Sequence, residues 1–300
     1  METRILELSD MMSDKWGSDN KTENLHNRLK SFILQIDDAD NDIREILLTL
    51  TEEFSYFSKA NVNELLIHFN DQINNELQLK VDKTVFSKIE GVGASKSKMD
   101  SSNTMLEEFK ICNEISGDFT HSLSALTKSA LNRIDNIVIF DDIIGSGNTL
   151  IKFLTSHAEK IVTTGVKIYV FCLVILESAL EQVNCFLERE NINAEIKYYT
   201  IQPKAFKENY IFGGEANTKQ QRFKDYKRFK KMHNILGYEN SQALVAFYRN
   251  TPNNTLSAFW WLSDNWKGLF PRNNRRPDFM KKRTDKSSSA AYNLSKKETN

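Results

Sequence analysis

The stretch that most restricts the fold is Ile137–Leu154, which reads IVIFDDIIGSGNTLIKFL. Four apolar residues, Ile137–Phe140, predict a buried strand; two adjacent aspartates follow, and a glycine-containing turn then opens a helix. Because ligands of open α/β sheets bind at the carboxyl ends of strands, we expect Asp141 and Asp142 to emerge at a binding edge. Two adjacent carboxylates in a partly dry site repel each other, so they indicate a bound group unless they belong to an exposed turn.

The turn after the aspartates has the composition of an anion-binding loop. Its glycines let backbone N–H groups converge on an anion, and the dipole of the following helix adds favourable potential. The turn residues are Gly145, Ser146, Gly147, Asn148 and Thr149. No lysine follows Gly147, as a Walker-type P-loop requires, and Leu150 stands where a dinucleotide fingerprint needs glycine. Since the vicinal hydroxyls of a ribose, or a metal-bound sugar, would satisfy the carboxylates, the stretch predicts a site for a phosphorylated sugar.

The spacing of apolar residues changes once along the rest of the chain. Residues 1–78 carry apolar stripes at helical spacing, whereas short apolar runs alternate with helical stretches from residue 84 onwards. The candidate strands are Thr84–Ile89, Asn136–Phe140, Lys167–Leu176, Glu195–Ile201 and Leu244–Tyr248. Such alternation predicts an α/β fold with a parallel sheet and helices on its faces.

This pattern divides the chain into four predicted parts. We expect a helical subdomain over 1–78, an α/β core over 79–250, a Trp-rich hood over 251–272 and a basic, disordered tail over 273–300. From Arg272 to Asn300 the chain holds nine Lys or Arg and three Asp or Glu, a local charge of +6. The hood tryptophans, Trp260, Trp261 and Trp266, either pack the hood or stack on a base.

Composition bears on the cellular setting. Forty basic and forty acidic residues balance, so net charge identifies no partner. The longest apolar run, Ile168–Leu176, is far shorter than the roughly 20 residues of a membrane span, and the amino terminus lacks the apolar segment of a signal peptide. Cys112, Cys172 and Cys185 have no metal-binding spacing. We therefore expect a cytoplasmic protein that does not insert into membranes.

The segment IVIFDDIIGSGNT resembles the signature of type I phosphoribosyltransferases: four apolar residues, two acids, two apolar residues and a Thr/Ser-Gly turn. In that family the acids engage the ribose hydroxyls of phosphoribosyl pyrophosphate (PRPP), and the turn holds its 5-phosphate. The resemblance implies catalytic roles for Asp141 and Asp142, 5-phosphate binding by residues 145–149, and Mg²⁺ bound through the substrate without a direct protein ligand. Asn148 replaces the usual second glycine of the turn, so one backbone contact is expected to differ.

A second element of that family is a pyrophosphate loop after the first core strand. Here Thr84–Ile89 leads into GVGASKS. By resemblance, the pyrophosphate-loop residues are Gly93, Ser95, Lys96 and Ser97, with Lys96 also a catalytic candidate that helps to neutralise departing pyrophosphate. A glycine turn with a solvated lysine is the alternative.

Two asparagines follow the last candidate strand. If the sheet is parallel, Asn253 and Asn254 lie on the same edge as the acid pair, where they could bind a nucleobase or pyrophosphate. Asparagines after Pro252 are equally typical of an ordinary turn.

A basic stretch, Lys219–Lys231, carries seven Lys or Arg, with aromatic residues at every third position, Phe223, Tyr226 and Phe229. On a helix this pattern forms an aromatic seam flanked by positive charge, which could bind an RNA–DNA hybrid or a single strand. The predicted contact residues are Arg222, Lys224, Lys227, Arg228, Lys230 and Lys231. The alternative is a surface helix whose aromatic side chains face the core.

The pattern TPNNTL…FWW…W…LFPR resembles a bacterial branch of phosphoribosyltransferase-like (PRTase-like) proteins from antiphage loci, including retrons. The resemblance implies a defence effector or toxin that is held in check by partners, with a reverse transcriptase or another defence protein as candidates. Two hypotheses stay open: an enzyme that substitutes at ribose C1, and a non-catalytic scaffold of the same fold that senses nucleotides or binds nucleic acid.

Overall fold

The computed structural model describes residues 1–90 and 101–272 of the chain. Its helices are α1 Glu2–Trp16, α2 Leu25–Leu34, α3 Asn41–Glu52, α4 Lys59–Asp71, α5 Ser101–Cys112, α6 Lys128–Leu131, α7 Asn148–Thr164, α8 Glu177–Arg189 and α9 Ala216–Asp225. Its strands are β1 Ser55–Phe57, β2 Thr84–Ser87, β3 Asn136–Ile144, β4 Lys167–Leu176, β5 Ala194–Gln202, β6 Val245–Phe247, β7 Leu262–Ser263 and β8 Trp266–Lys267. Helices thus dominate the first part of the chain and alternate with strands in the middle, as predicted.

The central sheet of the described residues has the strand order β2-β3-β4-β5, and every neighbouring pair is parallel. Helix α7 connects β3 to β4, and α8 connects β4 to β5. Strands β3 and β4 are buried along nearly their whole length, as central strands of a covered parallel sheet must be. The predicted α/β fold with a parallel sheet is confirmed.

The predicted bounds of β4 are confirmed, but those of β3 were wrong at the carboxyl end. Strand β3 does not stop at Phe140; its ladder with β4 continues through Asp141, opposite Cys172, to Ile144, opposite Ile175. Two further apolar residues after the acids keep the backbone in the sheet, because they extend the buried run. The two aspartates therefore lie within the carboxyl-terminal part of β3 rather than after its end.

The last predicted strand does not join the central sheet. Strand β6 pairs in parallel with β1, in register from Ser55 opposite Val245 to Phe57 opposite Phe247. The prediction of helices over residues 1–78 missed β1. Three residues between two helices are too few to show the alternating apolar pattern of a strand. The pairing ties the amino-terminal helices to the residues that precede the hood.

Two clusters of apolar side chains fill the interior. One surrounds the central sheet and includes the apolar stripe of α4. The other joins α1–α3 to residues of the hood, where Phe54 stacks on Phe259 with ring centroids 4.6 Å apart. Trp266 is buried and donates its indole N–H to the carbonyl of Ala258 at 2.8 Å, and Trp260 is also buried. These two tryptophans pack the hood, the first of the two alternatives.

Several predicted features lie outside the described residues. These are the tail, 273–300, and the pyrophosphate-loop candidates, Gly93, Ser95, Lys96 and Ser97. Within residues 1–90 and 101–272, no helix has both the length and the apolar character that crossing a membrane requires.

Candidate functional site

The first aspartate of the pair is held in place by hydrogen bonds. Asp141 is 8 % exposed, and its Oδ1 accepts a bond from the hydroxyl of Ser101 at 2.6 Å. The same oxygen accepts the backbone N–H of Asp142 at 2.9 Å. Ser101 is the first residue of α5, so this helix and β3 together position the carboxylate.

The second aspartate lies beside a cation that the sequence did not single out. The Asp142 side chain is 14 % exposed, and its Oδ2 lies 3.6 Å from Nη2 of Arg249. Burial raises the pKa of Asp142, while the nearby guanidinium charge opposes that rise. Arg249 lies shortly after the end of β6, and an arginine just past a strand was the only signal that could have marked it.

The turn after β3 has the conformation that its glycines predict. Gly147 is the N-cap of α7 and has φ 78°, in the left-handed region that glycine adopts without steric cost. A Cβ at this position would come 2.9 Å from Cγ2 of Val183 on α8. The first backbone N–H groups of α7 have no acceptor within the helix, and the positive end of its dipole lies at this turn.

One of the two predicted asparagines, Asn254, lies against this turn. A Cβ built on Gly145 would be only 2.0 Å from Nδ2 of Asn254, so the asparagine side chain fills the space beside the glycine. The backbone carbonyl of Asn254 is held by the N–H of Ala243 at 3.1 Å and by the hydroxyl of Ser241 at 2.8 Å. The sequence predicted this proximity through a shared sheet edge, but the structure achieves it through the separate β1–β6 pair.

One cavity of about 760 Å³ collects most of the predicted site. It is lined by the predicted residues Asp141, Asp142, Gly145, Ser146, Gly147, Thr149, Asn253 and Asn254. The alternative of two solvent-exposed aspartates at a simple turn does not describe this arrangement, because both carboxylates face a shared concave surface and are largely buried.

Asn148 is the one turn residue that does not line the cavity. Its Nδ2 donates to the carboxylate of Glu239 at 2.6 Å, and its Oδ1 accepts from Gln182 at 3.0 Å. Glu239 also receives a hydrogen bond from Ser146, and this bond is the main cause that lowers the pKa of Glu239. No sequence signal pointed to Glu239, which lies in a short connecting segment far along the chain.

Further lining residues were not predicted. They come from α5, from the segment before β6, from the segment after β6 and from the end of the hood: Ser101, Thr104, Tyr238, Arg249, Asn250 and Arg272. Polar and charged side chains from four distant parts of the chain thus surround the acid pair, which makes the cavity suitable for a polar ligand.

The predicted nucleic-acid contact residues lie elsewhere, and none of them lines the cavity. Helix α9 ends at Asp225, so the predicted continuous helix to Lys231 was wrong. Phe223, Tyr226 and Phe229 are buried, as the alternative of core-facing aromatics requires.

Most of these basic side chains meet acidic ones. Arg222 pairs with Asp40 and Asp42, Lys227 and Arg228 with Asp37, and Lys230 with Asp225. Lys224 and Lys231 form no ion pair within the described part of the chain. Nucleic-acid binding by this segment stays a prediction.

The residues at the site bear on how a metal ion could be held. No group of three or more His, Cys, Asp or Glu side chains among the described residues could hold a metal ion. Mg²⁺ commonly takes one or two carboxylates together with substrate phosphates and waters. The two aspartates fit an ion that arrives with a phosphorylated ligand.

The chain has a parallel sheet with helices, an acid pair near the end of β3, and a glycine turn at the start of α7. This arrangement is that of a phosphoribosyltransferase-like protein. The chain belongs to the PRTase-CE family, whose sequence profile matches residues 29–272. Among solved structures, it is similar to Helicobacter pylori Xanthine-Guanine-Hypoxanthine Phosphoribosyltransferase, with 14 % identity, a TM-score of 0.30, and coverage of 49 % of this chain and 88 % of that chain. No curated protein sequence is a match for the chain.

Proposed function

We propose that the cavity binds the ribose 5-phosphate part of PRPP or of a related nucleotide. One observation carries this proposal: the two aspartates and the glycine turn line the same cavity of about 760 Å³. That volume falls within the range of small-molecule sites, roughly 300–1,000 Å³. The acid pair would accept hydrogen bonds from the ribose hydroxyls, while the first turn of α7 would donate to the phosphate.

The same geometry suits substitution at the anomeric carbon of the sugar. Carboxylates fixed beside the ribose would offset the positive charge that develops on the ring in an oxocarbenium-like transition state. Mg²⁺, bound through the substrate phosphates, would supply additional charge neutralisation. Lys96 remains the predicted partner of the departing pyrophosphate.

Calorimetric titration with ribose 5-phosphate and with PRPP, each with Mg²⁺, tests the binding proposal. We expect Asp141→Asn and Thr149→Val to weaken both ligands by about tenfold or more, since each removes a hydrogen bond to a charged or sugar group. Asp118→Asn, an exposed carboxylate in another turn, serves as the control. Wild-type protein that binds neither ligand, or an Asp141 variant that binds both unchanged, would contradict the proposal.

A non-catalytic nucleotide sensor is the second candidate, and the cavity lining favours keeping it. The described lining holds no His, Lys, Cys or Glu side chain, so once the two aspartates hold the ribose hydroxyls it offers no separate general base. Release of pyrophosphate from PRPP, measured with and without candidate acceptors, separates the two candidates. Turnover that Asp142→Asn abolishes supports the enzyme, whereas tight binding without turnover supports the sensor.

We also propose that the protein acts as an effector in antiphage defence. The support is the resemblance of the hood pattern to proteins of such loci. Phage plating on cells that carry the native gene neighbourhood tests this role. We expect protection with the wild-type chain and loss of protection with Asp141→Asn, expressed at the same level; equal plating with both would contradict it.

Nucleic acid is the proposed partner of the basic stretch, together with a reverse transcriptase or another defence protein. The support is that Lys224 and Lys231 form no ion pair within the described part of the chain, unlike Arg222, Lys227, Arg228 and Lys230. Mobility-shift titration with an RNA–DNA hybrid and with single strands is the test. We expect the double variant Lys224→Gln/Lys231→Gln to bind more weakly and to show a shallower dependence of log affinity on log salt, by up to about 2 units of slope, whereas unchanged binding excludes these lysines.

A further inference from the structure

Strand β5 forms one edge of the central sheet and has a strand partner on one side only. It pairs in parallel with β4, and within residues 1–90 and 101–272 no other strand or isolated bridge joins it. Its nine residues extend over roughly 30 Å, at about 3.3 Å per residue. A long edge of this kind presents a row of free backbone donors and acceptors, with which a further strand can pair.

The register with β4 shows which backbone groups of β5 point outwards. Ile168 lies opposite Ala194 and donates its N–H to the carbonyl of Asn193, so the odd-numbered residues of β5 bond to β4. The N–H and C=O groups of Ile196 and Tyr198 therefore point away from β4. In the described part of the chain, no segment outside the sheet forms a backbone hydrogen bond with either residue.

The side chains of β5 do little to protect this edge. Tyr198 and Tyr199 are 40 % and 56 % exposed, so two large aromatic rings reach solvent here. Glu195 and Lys197 lie two residues apart on the same face of the strand and form an ion pair at 2.6 Å. They are the charged residues of β5, one of each sign, so the strand does not carry the row of like charges that would repel a neighbour.

A second copy of β5 matches this edge, because the strand is complementary to itself when it is turned antiparallel. With a twofold axis at Ile196, Glu195 of each copy lies directly opposite Lys197 of the other, and opposite charges at facing positions stabilise paired strands. Tyr198 lies opposite Ala194, a small residue that leaves room for the ring. A strand from an unrelated protein would have to supply the same order of charges by chance.

The same arrangement uses the free backbone groups of the edge. The two Ile196 residues would exchange two N–H···O=C bonds, and the N–H of each Tyr198 would reach the Ala194 carbonyl of the other copy. The N–H of Ala194 needs no partner from the second copy, because it already donates to the carbonyl of Ile192 at 2.9 Å. Two bonds of each kind give about four hydrogen bonds across the interface.

The ends of the strand favour this register over its neighbours. A pairing centred on Tyr198 would involve the last residues of β5, but Gln202 is 8 % exposed, and its side-chain amide exchanges hydrogen bonds with the backbone of Leu244 at 3.2 and 2.9 Å. A pairing centred on Lys197 would place two lysines opposite each other, which destabilises paired strands. The pairing centred on Ile196 avoids both costs.

We propose that two copies of this chain pair along β5, antiparallel and centred on Ile196, which joins two four-stranded sheets into one continuous sheet. The pairing does not depend on which ligand the cavity binds. An axis perpendicular to the sheet places the carboxyl ends of the two sets of strands at opposite edges of the joined sheet. Each copy therefore keeps a whole cavity of its own.

Sedimentation velocity on the full chain, over a series of protein concentrations, measures the dimer. Tyr198→Pro removes an outward N–H and leaves the ladder with β4 intact, since edge strands accept proline where its missing N–H faces solvent. We expect this variant to weaken the dimer by about tenfold or more, because one hydrogen bond is lost in each half of the symmetric pair. Tyr198→Thr keeps the N–H and favours strand structure, so its dimer should stay within about threefold of wild type.

Exchange of charges tests the register. Glu195→Lys and Lys197→Glu each place like charges at both symmetric contacts, so each variant alone should dimerise about tenfold more weakly or worse. In an equal mixture the two variants should associate again as a heterodimer, because each lysine then faces a glutamate on the other chain. Glu64→Lys changes the net charge as Glu195→Lys does, at an exposed position of α4, and should leave the dimer unchanged.

Folding of the variants is checked by thermal unfolding, and association in the mixture is itself evidence that both chains are folded. The double variant Glu195→Lys/Lys197→Glu restores both opposite-charge contacts and should dimerise like wild type. It replaces the mixture if one single variant does not fold.

Three results would overturn the proposal. A wild-type chain that is monomeric at every concentration up to roughly 1 mM would leave the edge to a strand of another protein. A dimer that Tyr198→Pro does not weaken is not built on β5. A dimer that the single charge variants do not weaken, or that neither the mixture nor the double variant restores, is paired in another register or through another surface.

Discussion

The carboxylate of Glu239 accepts a hydrogen bond from Nδ2 of Asn148 at 2.6 Å, so an acidic side chain lies on the first residue of α7, beside the proposed phosphate loop. Glu239 has φ 52°, and Asn240 and Gln242 follow it with φ 58° and 55°, left-handed values that are uncommon outside glycine. Such conformations cost of the order of 1–3 kcal/mol each and persist where surrounding contacts hold them. The segment thus holds the negative charge of Glu239 near a loop that is proposed to bind a negatively charged phosphate.

Replacing Glu239 by glutamine tests the effect of that charge. Glu239→Gln keeps a hydrogen-bond acceptor for Asn148 but removes the like charge near the phosphate. We expect the affinity for ribose 5-phosphate to rise by about two- to fivefold at low ionic strength, the usual scale for one charge near a helix end. Calorimetric titration measures the effect, with Glu188→Gln on the exposed face of α8 as the control. Weaker binding would show instead that the carboxylate positions the turn.

The raised pKa of Asp142 predicts a pH-dependent cost to stability. Its usual pKa is 3.8, and burial raises the pKa in the folded state, so the folded protein holds this proton more tightly than the unfolded chain does. Stability should therefore fall as pH rises from about 3.8 through the raised pKa, and the cost should be complete above it. Asp142→Asn lacks this cost.

We expect Asp142→Asn to increase the free energy of unfolding at pH 7 by about 0.5–2 kcal/mol, a common gain when a strained site residue is replaced. The gain should shrink towards pH 4, where the wild-type aspartate regains its proton. Urea unfolding of the ligand-free protein at both pH values measures it. A variant that is less stable than wild type at pH 7 would show that the contact with Arg249 outweighs burial.

The contact between Gly145 and Asn254 predicts a pair of compensating substitutions. Gly145→Ala would place a Cβ 2.0 Å from Nδ2 of the asparagine, so the side chain must move into the cavity or the backbone must shift. We expect destabilisation by about 1–3 kcal/mol and weaker ligand binding. Adding Asn254→Ala removes the obstructing atoms and should restore most of the lost stability.

Thermal unfolding of the two single variants and the double variant measures this coupling. Gly214→Ala is the matched control, because a Cβ there meets nothing within 4 Å. Strictly additive effects of the two substitutions would mean that the strain at Gly145 has another source.

The packing of the hood on the amino-terminal helices predicts that they unfold together. Trp266 is 2 % exposed and lies between Phe32 of α2 and Phe229, with ring centroids 5.7 and 4.8 Å away. We expect Trp266→Ala to destabilise the protein by about 3–5 kcal/mol, as removal of a buried aromatic does. Leu262→Ala, at a 42 % exposed position of the same hood, should have little effect.

Hydrogen exchange distinguishes joint from separate unfolding. In the Trp266 variant, amides of α2 and of the hood should lose protection to the same extent. Loss confined to the hood would contradict a shared cooperative unit.

Local patterns predicted the parts of the molecule that depend on neighbours in the chain. The apolar run of β4 was long enough to define its ends, and the glycines of the turn, one of them left-handed, required no distant partner to open α7. The acid pair and the turn could be recognised together because they belong to one strand–turn–helix unit. A short stretch of residues is enough to predict a parallel strand that is buried on both faces, and it is also enough to predict a turn that needs the conformational freedom of glycine.

Long-range packing decided the rest. β1 exists because β6, far later in the chain, offers it a parallel partner, and that pairing brings Arg249 and Asn254 to the acid pair. Long-range packing also brings Glu239 to Asn148 and places Arg272 on the cavity wall. Three-residue strands and single charged residues carry almost no periodic signal, so their places depend on which distant surfaces pack together, and only the folded chain determines that.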